Sequence, residues 1–480
     1  MGLAGLLLAA GAAAAVPSAA APEPAPGPHA TGPAGRTGNL VAFVRPPSIA
    51  AGLGRSKRNS RARAASSRIA AVVDRSGLSM VGAIPELGAV TVRPAPDESL
   101  GSARRDLLAD PAVRKVEAER SRTLRYLPDD PALTLHDTRA PTNDHYQWNL
   151  RKEQFPKAWR RARGARAKLA VIDTGIDGGN PDLSGRIAYA RGYDFSDCGG
   201  TLQPACTGPK HDEVGHGTHV AGLACGEGNN GMGIAGADFA CRLIDEKVSD
   251  TEDISDSLIA KSITDATNHG ADVISMSFGG PGASAVINHA LNYAYSHDVV
   301  LVAAASNGNT TNQGLPASHL QPKGTGNRIR SGKGLVVTAA GYNGRRAWFH
   351  PGHGTGVSMA AYGSASRACA SRSDCGIFST FPDNATEIEK GSLPFGEPGC
   401  GHCRATFQGS NDFAYLEGTS MATPQVAGAA ALIRSKRPAI KNRNVLRILK
   451  RTARGRHFRD GLGWGILNAG RALKRATRKR

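Results

Sequence analysis

The feature that most limits the fold is a set of four apolar runs rich in β-branched residues, at 168–173, 273–277, 299–304 and 335–339. Strands that read as continuously apolar are covered on both faces. Helix-like stretches at 253–269 and 283–297 alternate with them, so the pattern predicts an α/β domain: a mostly parallel, doubly wound sheet flanked by helices. In such sheets ligands gather beyond the carboxyl ends of the strands, and the chemically interesting polar residues fall there.

A chain of 480 residues has room for two or three units. Residues 1–21 read as a secretory signal peptide, an apolar run from Leu3 to Val16 followed by small residues. No later stretch reaches about 18 apolar residues, so the sequence predicts a secreted, extracellular protein with no membrane anchor. Residues 22–38 are a Pro/Ala/Gly linker. Residues 39–126 give the order β-α-β-β-α-β of a small ferredoxin-like α+β module, with helices at 67–75 and 100–108. Its basic stretch at 55–63 reads as a solvated or protease-sensitive loop. Residues 140–480 form the larger domain.

All eight cysteines lie between Cys198 and Cys403, an even number that suits a disulfide set in an exported protein. Sequence does not fix the pairing. Cys198 with Cys206 and Cys369 with Cys375 would close short loops, and Cys400 with Cys403 reads as a structural bridge ahead of a redox or zinc site. The net charge is +19, with 59 basic and 40 acidic residues. Aromatics are only 5% and do not interleave with the basic runs, so no nucleic-acid platform is visible.

Three blocks carry chemistry. Asp173 ends an apolar strand in Asp173-Thr174-Gly175; an aspartic protease would need a second such triplet, which the chain lacks. His216-Gly217-Thr218-His219 opens a helix, the alternative being a structural or metal-binding histidine pair. Ser420 stands in Glu417-Gly418-Thr419-Ser420-Met421-Ala422-Thr423-Pro424, at the N-terminus of a small-residue helix where backbone N–H groups favour a developing oxyanion. Gly418 is expected to permit a tight approach, and Ala422 and Ala427 close helix packing. The order Asp, His, Ser excludes the Ser-Asp-His order of α/β-hydrolases.

With these blocks the chain resembles the subtilisin-like serine proteases over roughly 300 residues. The resemblance implies a serine endopeptidase acting on protein or peptide substrates, with Ser420 as nucleophile, His216 as base and Asp173 orienting it. It implies Asn307, in Val302-Ala-Ala-Ala-Ser306-Asn307, as oxyanion donor; Ser306 departs from the usual glycine. Substrate would add as a strand beside Ser277, Phe278 and Gly279, with Ala304, Ala305 and Thr419 around the first pocket and 314–317 closing it. The stretch Gly226-Glu-Gly-Asn-Asn-Gly231 follows a helix, which fails the dinucleotide pattern. By resemblance it looks like a structural calcium loop, with Asp182, Gly228, Asn230, Met232, Ile234 and either Asp130 or Asp144 as ligands; a Gly/Asn turn holding no metal is the alternative. No organic cofactor is implied. The module at 39–126 resembles an inhibitor-type propeptide, making the chain a self-processed zymogen and a monomer. The competing reading is a catalytically silent secreted binding relative.

Overall fold

The computed structural model describes residues 38–45, 55–119, 127–192, 211–249, 254–365, 376–391, 400–455 and 457–478. The expected signal peptide and the Cys198–Cys206 and Cys369–Cys375 pairs lie outside the described residues. The chain divides into two compact units, Met1–Leu124 and Arg125–Arg480.

The first unit contains β1 (Leu40–Val44), α1 (Arg55–Ser76), β2 (Ser79–Ile84), β3 (Ala89–Arg93), α2 (Leu100–Ala109) and β4 (Val113–Ala118). Its sheet is antiparallel in the order β2-β3-β1-β4, the ferredoxin-like arrangement. Leu40, Ala42 and Val44 alternate inward against Ile69 and Val72 of α1 and Leu107 of α2. The stretch at 55–63, expected as a loop, is the first part of α1. It contains no Gly or Pro, and its arginines and alanine are good helix formers.

The second unit begins with α3 (Trp148–Lys152) and α4 (Phe155–Trp159) and continues through β5 (Lys168–Asp173), β6 (Ile187–Gly192), α5 (His216–Cys225), β7 (Arg242–Lys247), α6 (Asp256–Asn268) and β8 (Val273–Met276). Then come α7 (Ala285–Ser296), β9 (Val300–Ala304), α8 (Ala317–Leu320), β10 (Gly334–Gly341), β11 (Met359–Ser364), β12 (Ile377–Thr380) and α9 (Glu387–Lys390). The last elements are β13 (Arg404–Phe407), β14 (Ser410–Leu416), α10 (Thr419–Lys436), α11 (Asn442–Thr452) and α12 (Ala469–Ala476). Residues 127–139, upstream of the expected start at 140, pack into this unit, with Asp130, Ala132 and Leu133 fully buried.

Seven parallel strands form the central sheet in the order β11-β10-β9-β8-β5-β7-β6. Successive residues alternate between two cores: Leu169 and Val171 enter one, Ala170 and Ile172 the other. That is why the strands read as apolar throughout. The register pairs Ile172 with Met276 and Met276 with Ala303, so β5, β8 and β9 end at one level. β5 and β8 are also where the strand order reverses, the crevice at which such sheets bind ligands. A separate antiparallel sheet, β12-β14-β13, lies beyond. Among the described residues no helix is long and apolar enough to cross a membrane.

Candidate active site

Asp173 is the last residue of β5 and His216 the first of α5, and small residues let these two ends meet. A side chain at Gly217 would stand 2.0 Å from the carbonyl oxygen of Gly175, so only glycine lets α5 start this close to the strand. Gly215, at φ 89°, turns the chain into the helix with a left-handed backbone that glycine adopts freely. His216 Nδ1 then donates to Asp173 Oδ1 at 2.7 Å, which fixes the tautomer and leaves Nε2 as the basic nitrogen. Asp173 is 3% exposed and also accepts from the N–H of Thr174 at 2.9 Å.

A second carboxylate locks this junction. Asp212 is buried and accepts from Thr174 Oγ1 at 2.8 Å, Gly215 N at 2.8 Å, Thr218 N at 2.8 Å and Thr218 Oγ1 at 2.6 Å. Thr174 Oγ1 in turn accepts from Gly217 N. The residues on either side of His216 and the one after Asp173 thus hang on one carboxyl group. Burial pushes that group up, against the opposing pull of its four donors.

Ser420 occupies the first turn of α10, whose residues from Met421 to Arg434 are all buried. Pro424 has no N–H, so the carbonyl of Ser420 loses its intrahelical donor. Ser277 Oγ fills that gap at 3.1 Å, while Ser420 Oγ donates to the Ser277 carbonyl at 2.7 Å. The nucleophile candidate is therefore tied to the end of β8 by a reciprocal pair. The expected tight approach is not at Gly418, where an added Cβ would meet nothing closer than 3.5 Å. It is at Gly363 on β11, where a Cβ would stand 2.3 Å from the Gly418 carbonyl.

Asn307 follows β9 and faces the same helix start. Its Oδ1 accepts from Thr419 N at 3.0 Å and Thr419 Oγ1 at 2.9 Å, which turns Nδ2 toward the Ser420 turn; a Cβ on Gly418 would lie 3.6 Å from that nitrogen. Thr419 Oγ1 also donates to Ala305 O at 2.6 Å, fastening strand to helix. The irregular Ser306 fits, because its hydroxyl accepts from Gly308 N and tightens the turn after Asn307. Ala304 and Ala305 are buried at the strand end, with Phe278 half-buried and Gly279 exposed across the crevice. Gly280 and Leu315 exchange backbone hydrogen bonds at 3.1 and 2.7 Å, so the 314–317 segment does border this cleft.

His219 takes no part. It is fully buried, Nε2 donates to the carbonyls of Ile377 and Ala414, and burial pushes it down to about 3, so it stays neutral and pins α5 to β12 and β14. No cluster of three or more metal-ligating His, Cys, Asp or Glu occurs among the described residues. Asp182 and Asp130 nonetheless grip the 228–234 loop: Asp182 accepts from Asn230 Nδ2 and Ile234 N, and Asp130 accepts from Asn229 N with both oxygens. Both are buried; burial, with the charge of Asp182 nearby, pushes Asp130 up to about 7, and burial, with the charge of Glu227 nearby, pushes Asp182 up to about 6. An all-oxygen set with two uncompensated carboxylates fits a hard divalent cation. Asp144 is elsewhere, bonded to His145 and Tyr342.

Sequence reasoning passed over Asp212, the Thr419 hold on Asn307, and Glu417, which accepts from Trp348 Nε1, Ser364 Oγ and Ala365 N just ahead of Ser420. An acid four residues before the histidine was the available signal for Asp212. Cys225 and Cys241 form a disulfide at the end of α5, unforeseen, and Cys400 pairs with Cys403 as expected.

Residues 164–465 match the family model described as the Subtilase family. The chain is 31% identical to thermitase of Thermoactinomyces vulgaris over 322 residues, covering 66% of this chain and 88% of that protein. It is 31% identical to subtilisin Savinase of Lederbergia lenta, over 68% of this chain and 98% of that one. Among solved structures, a protease of Pseudoalteromonas arctica matches with TM-score 0.56 and 27% identity, covering 73% of this chain and 99% of that chain.

Proposed function

The chain belongs to the subtilase family of serine proteases, and on that premise we propose that it is a secreted, self-processed endopeptidase working through Asp173, His216, Ser420 and Asn307. The observation that carries the assignment is the 2.7 Å bond from His216 Nδ1 to Asp173 Oδ1, with Ser420 bonded to Ser277 just past β8 and Asn307 bonded to Thr419 beside Ser420.

In this reading His216 Nε2 takes the proton of Ser420 Oγ as that oxygen attacks the scissile carbonyl. The hydroxyl must first leave the Ser277 carbonyl, on which it rests in the free protein. A peptide lying along Ser277, Phe278 and Gly279 as an added strand brings an N–H to that carbonyl and releases it. Asn307 Nδ2 and the N–H groups opening α10 receive the oxyanion. His216 gives its proton to the leaving amine, then takes one from the water that attacks the acyl-enzyme and returns it to Ser420 Oγ as the acyl–oxygen bond breaks. Asp173 holds the imidazolium in place through its bond to Nδ1.

A calcium ion would be held by Asp182, Asp130, Asn230 and the carbonyls of Gly228, Met232 and Ile234. Bound there, it supplies charge that offsets two buried carboxylates, and it enters no chemical step. The ferredoxin-like unit ahead of Arg125 is read as the inhibitor-type propeptide, removed at maturation. Expression of Ser420→Ala tests this: the secreted product keeps residues 39–126, whereas the native chain loses them. A Ser420→Ala chain that matures on its own, without other proteases, overturns self-processing.

A further inference from the structure

The net charge of +19 is not spread evenly. Residues 154–172 hold six Lys or Arg and no acid, and residues 418–480 hold 17 with Asp460 as their one acid. The fold brings these stretches together. α12 packs on α4, α10 and α11; Gly470 of α12 lies against Lys157, and Arg437 donates to the carbonyl of Ala476 at 3.1 Å. Lys157, Arg160, Arg161, Arg166, Lys436 and Arg437 are all exposed on this face, and so are Arg471, Lys474 and Arg475 of α12.

At its centre is a cleft of about 310 Å³ between the 159–166 loop and Ser435–Lys436, where α10 ends. Its wall includes Arg160, Arg161, Arg166 and Lys436 and no carboxylate. Asp238 is fully buried beneath Gly164, where any Cβ would collide with it, and burial pushes its carboxyl up to about 8; Asp298, which reaches α10 at the residue before Ser435, is taken up by Arg434 and Lys441. Lys436 lies 16 residues after Ser420 along α10, which separates the cleft from Ser420 by about 24 Å. The proteolytic site leaves this face unused.

We propose that this cleft and the basic face around it form a docking surface, remote from Ser420, for a linear polymer of phosphate groups without bases. Guanidinium forks match the paired free oxygens of a phosphate and hold them bidentately. The cleft exceeds one tetrahedral anion, so it takes consecutive groups of a chain. Trp159, the one aromatic on its wall, is 1% exposed, so nucleobases find nothing to stack on. Bound here, the enzyme is held on an anionic matrix with its substrate crevice facing away.

The test uses the full-length protein and medium-chain inorganic polyphosphate, with binding followed by fluorescence anisotropy across a salt series. The variant Arg160→Gln/Arg161→Gln/Arg166→Gln/Lys436→Gln is compared with a charge-matched control, Lys323→Gln/Arg328→Gln/Arg330→Gln/Arg345→Gln, on a different surface. Losing four contacts is expected to weaken binding at least about tenfold and to flatten the slope of log K against log salt by about 3. The control and hydrolysis of a small uncharged peptide remain near native, which also shows that both variants fold. Replacing the three arginines by lysine keeps the charge and is expected to lose part of the affinity, because the forks are gone. Equal losses in variant and control overturn the site in favour of diffuse charge. Equal or tighter binding of heparin, duplex DNA or polyglutamate overturns the phosphate polymer as occupant.

Discussion

Replacing Asp212 by Asn exchanges one oxygen for an NH2 group and leaves the volume of the side chain almost unchanged. The native carboxylate receives four donors, two on each oxygen: Thr174 Oγ1 and Gly215 N on one, Thr218 N and Thr218 Oγ1 on the other. An amide offers one accepting oxygen. The threonine hydroxyls can rotate to accept from the new NH2, but whichever way the amide faces, one backbone N–H, of Gly215 or Thr218, is left buried without a partner. That orphan costs about 1–3 kcal/mol, and the change from charged to neutral acceptor roughly halves the surviving bonds. A total of about 2–4 kcal/mol in unfolding free energy follows. The strain falls between Asp173 and His216 and spares the Ser277 strand, so kcat drops while KM holds. Displacement of order 1 Å between reacting groups lowers kcat by about 10- to 100-fold. Denaturant unfolding and steady-state kinetics on a short peptide measure both. Asp212→Asn with a native midpoint and kcat/KM within about twofold of native would refute the clamp, because the predicted losses are far larger.

Further outcomes follow from the same geometry. Asn307→Ala is expected to lower kcat by about 10²- to 10³-fold with little change in KM, the size of effect known for loss of a side-chain oxyanion donor in subtilisin; equal rises in KM would mean ground-state binding instead. Chelation with EGTA is expected to lower the unfolding midpoint of the native protein, with calcium restoring it, and Asp182→Asn is expected to abolish the difference; indifference to chelator in the native protein removes the calcium reading. Lys450 is buried, donates to Gln321 Oε1 and the Ser331 carbonyl, and is pushed down to about 8 by burial. The unfolded chain binds that proton up to the usual lysine range and the fold releases it near 8, so stability rises with pH in that window. Relative to Lys450→Met, the native protein should gain roughly 2 kcal/mol between about pH 7 and pH 9.5, measured by denaturant unfolding.

How much of this was legible in the sequence depended on burial symmetry. β5, β8, β9 and β10 are covered on both faces and announce themselves as apolar runs. β7 carries Asp245, Glu246 and Lys247 and hides a central strand, although Asp245 and Glu246 are themselves buried. β6 and β11 lie at the edges of the sheet and are short of large apolar residues, so their periodicity is weak. Asp173, His216, Ser420 and Asn307 were legible as candidates because each lies at, or within three residues of, an element end in a small-residue motif. Their supports were not, because Asp212, Thr419 and Glu417 act through hydrogen bonds to residues brought near only by the fold. The choice between Asp130 and Asp144 was likewise a matter of which carboxylate reached the 228–234 loop.

The account rests on Ser420 being the activated nucleophile. Treating the native protein with a fluorophosphonate and locating the adduct by peptide mass spectrometry tests that directly. The expected result is one adduct, on Ser420, formed much more slowly in His216→Ala. An unlabelled folded protein, or an adduct on another serine, would contradict it.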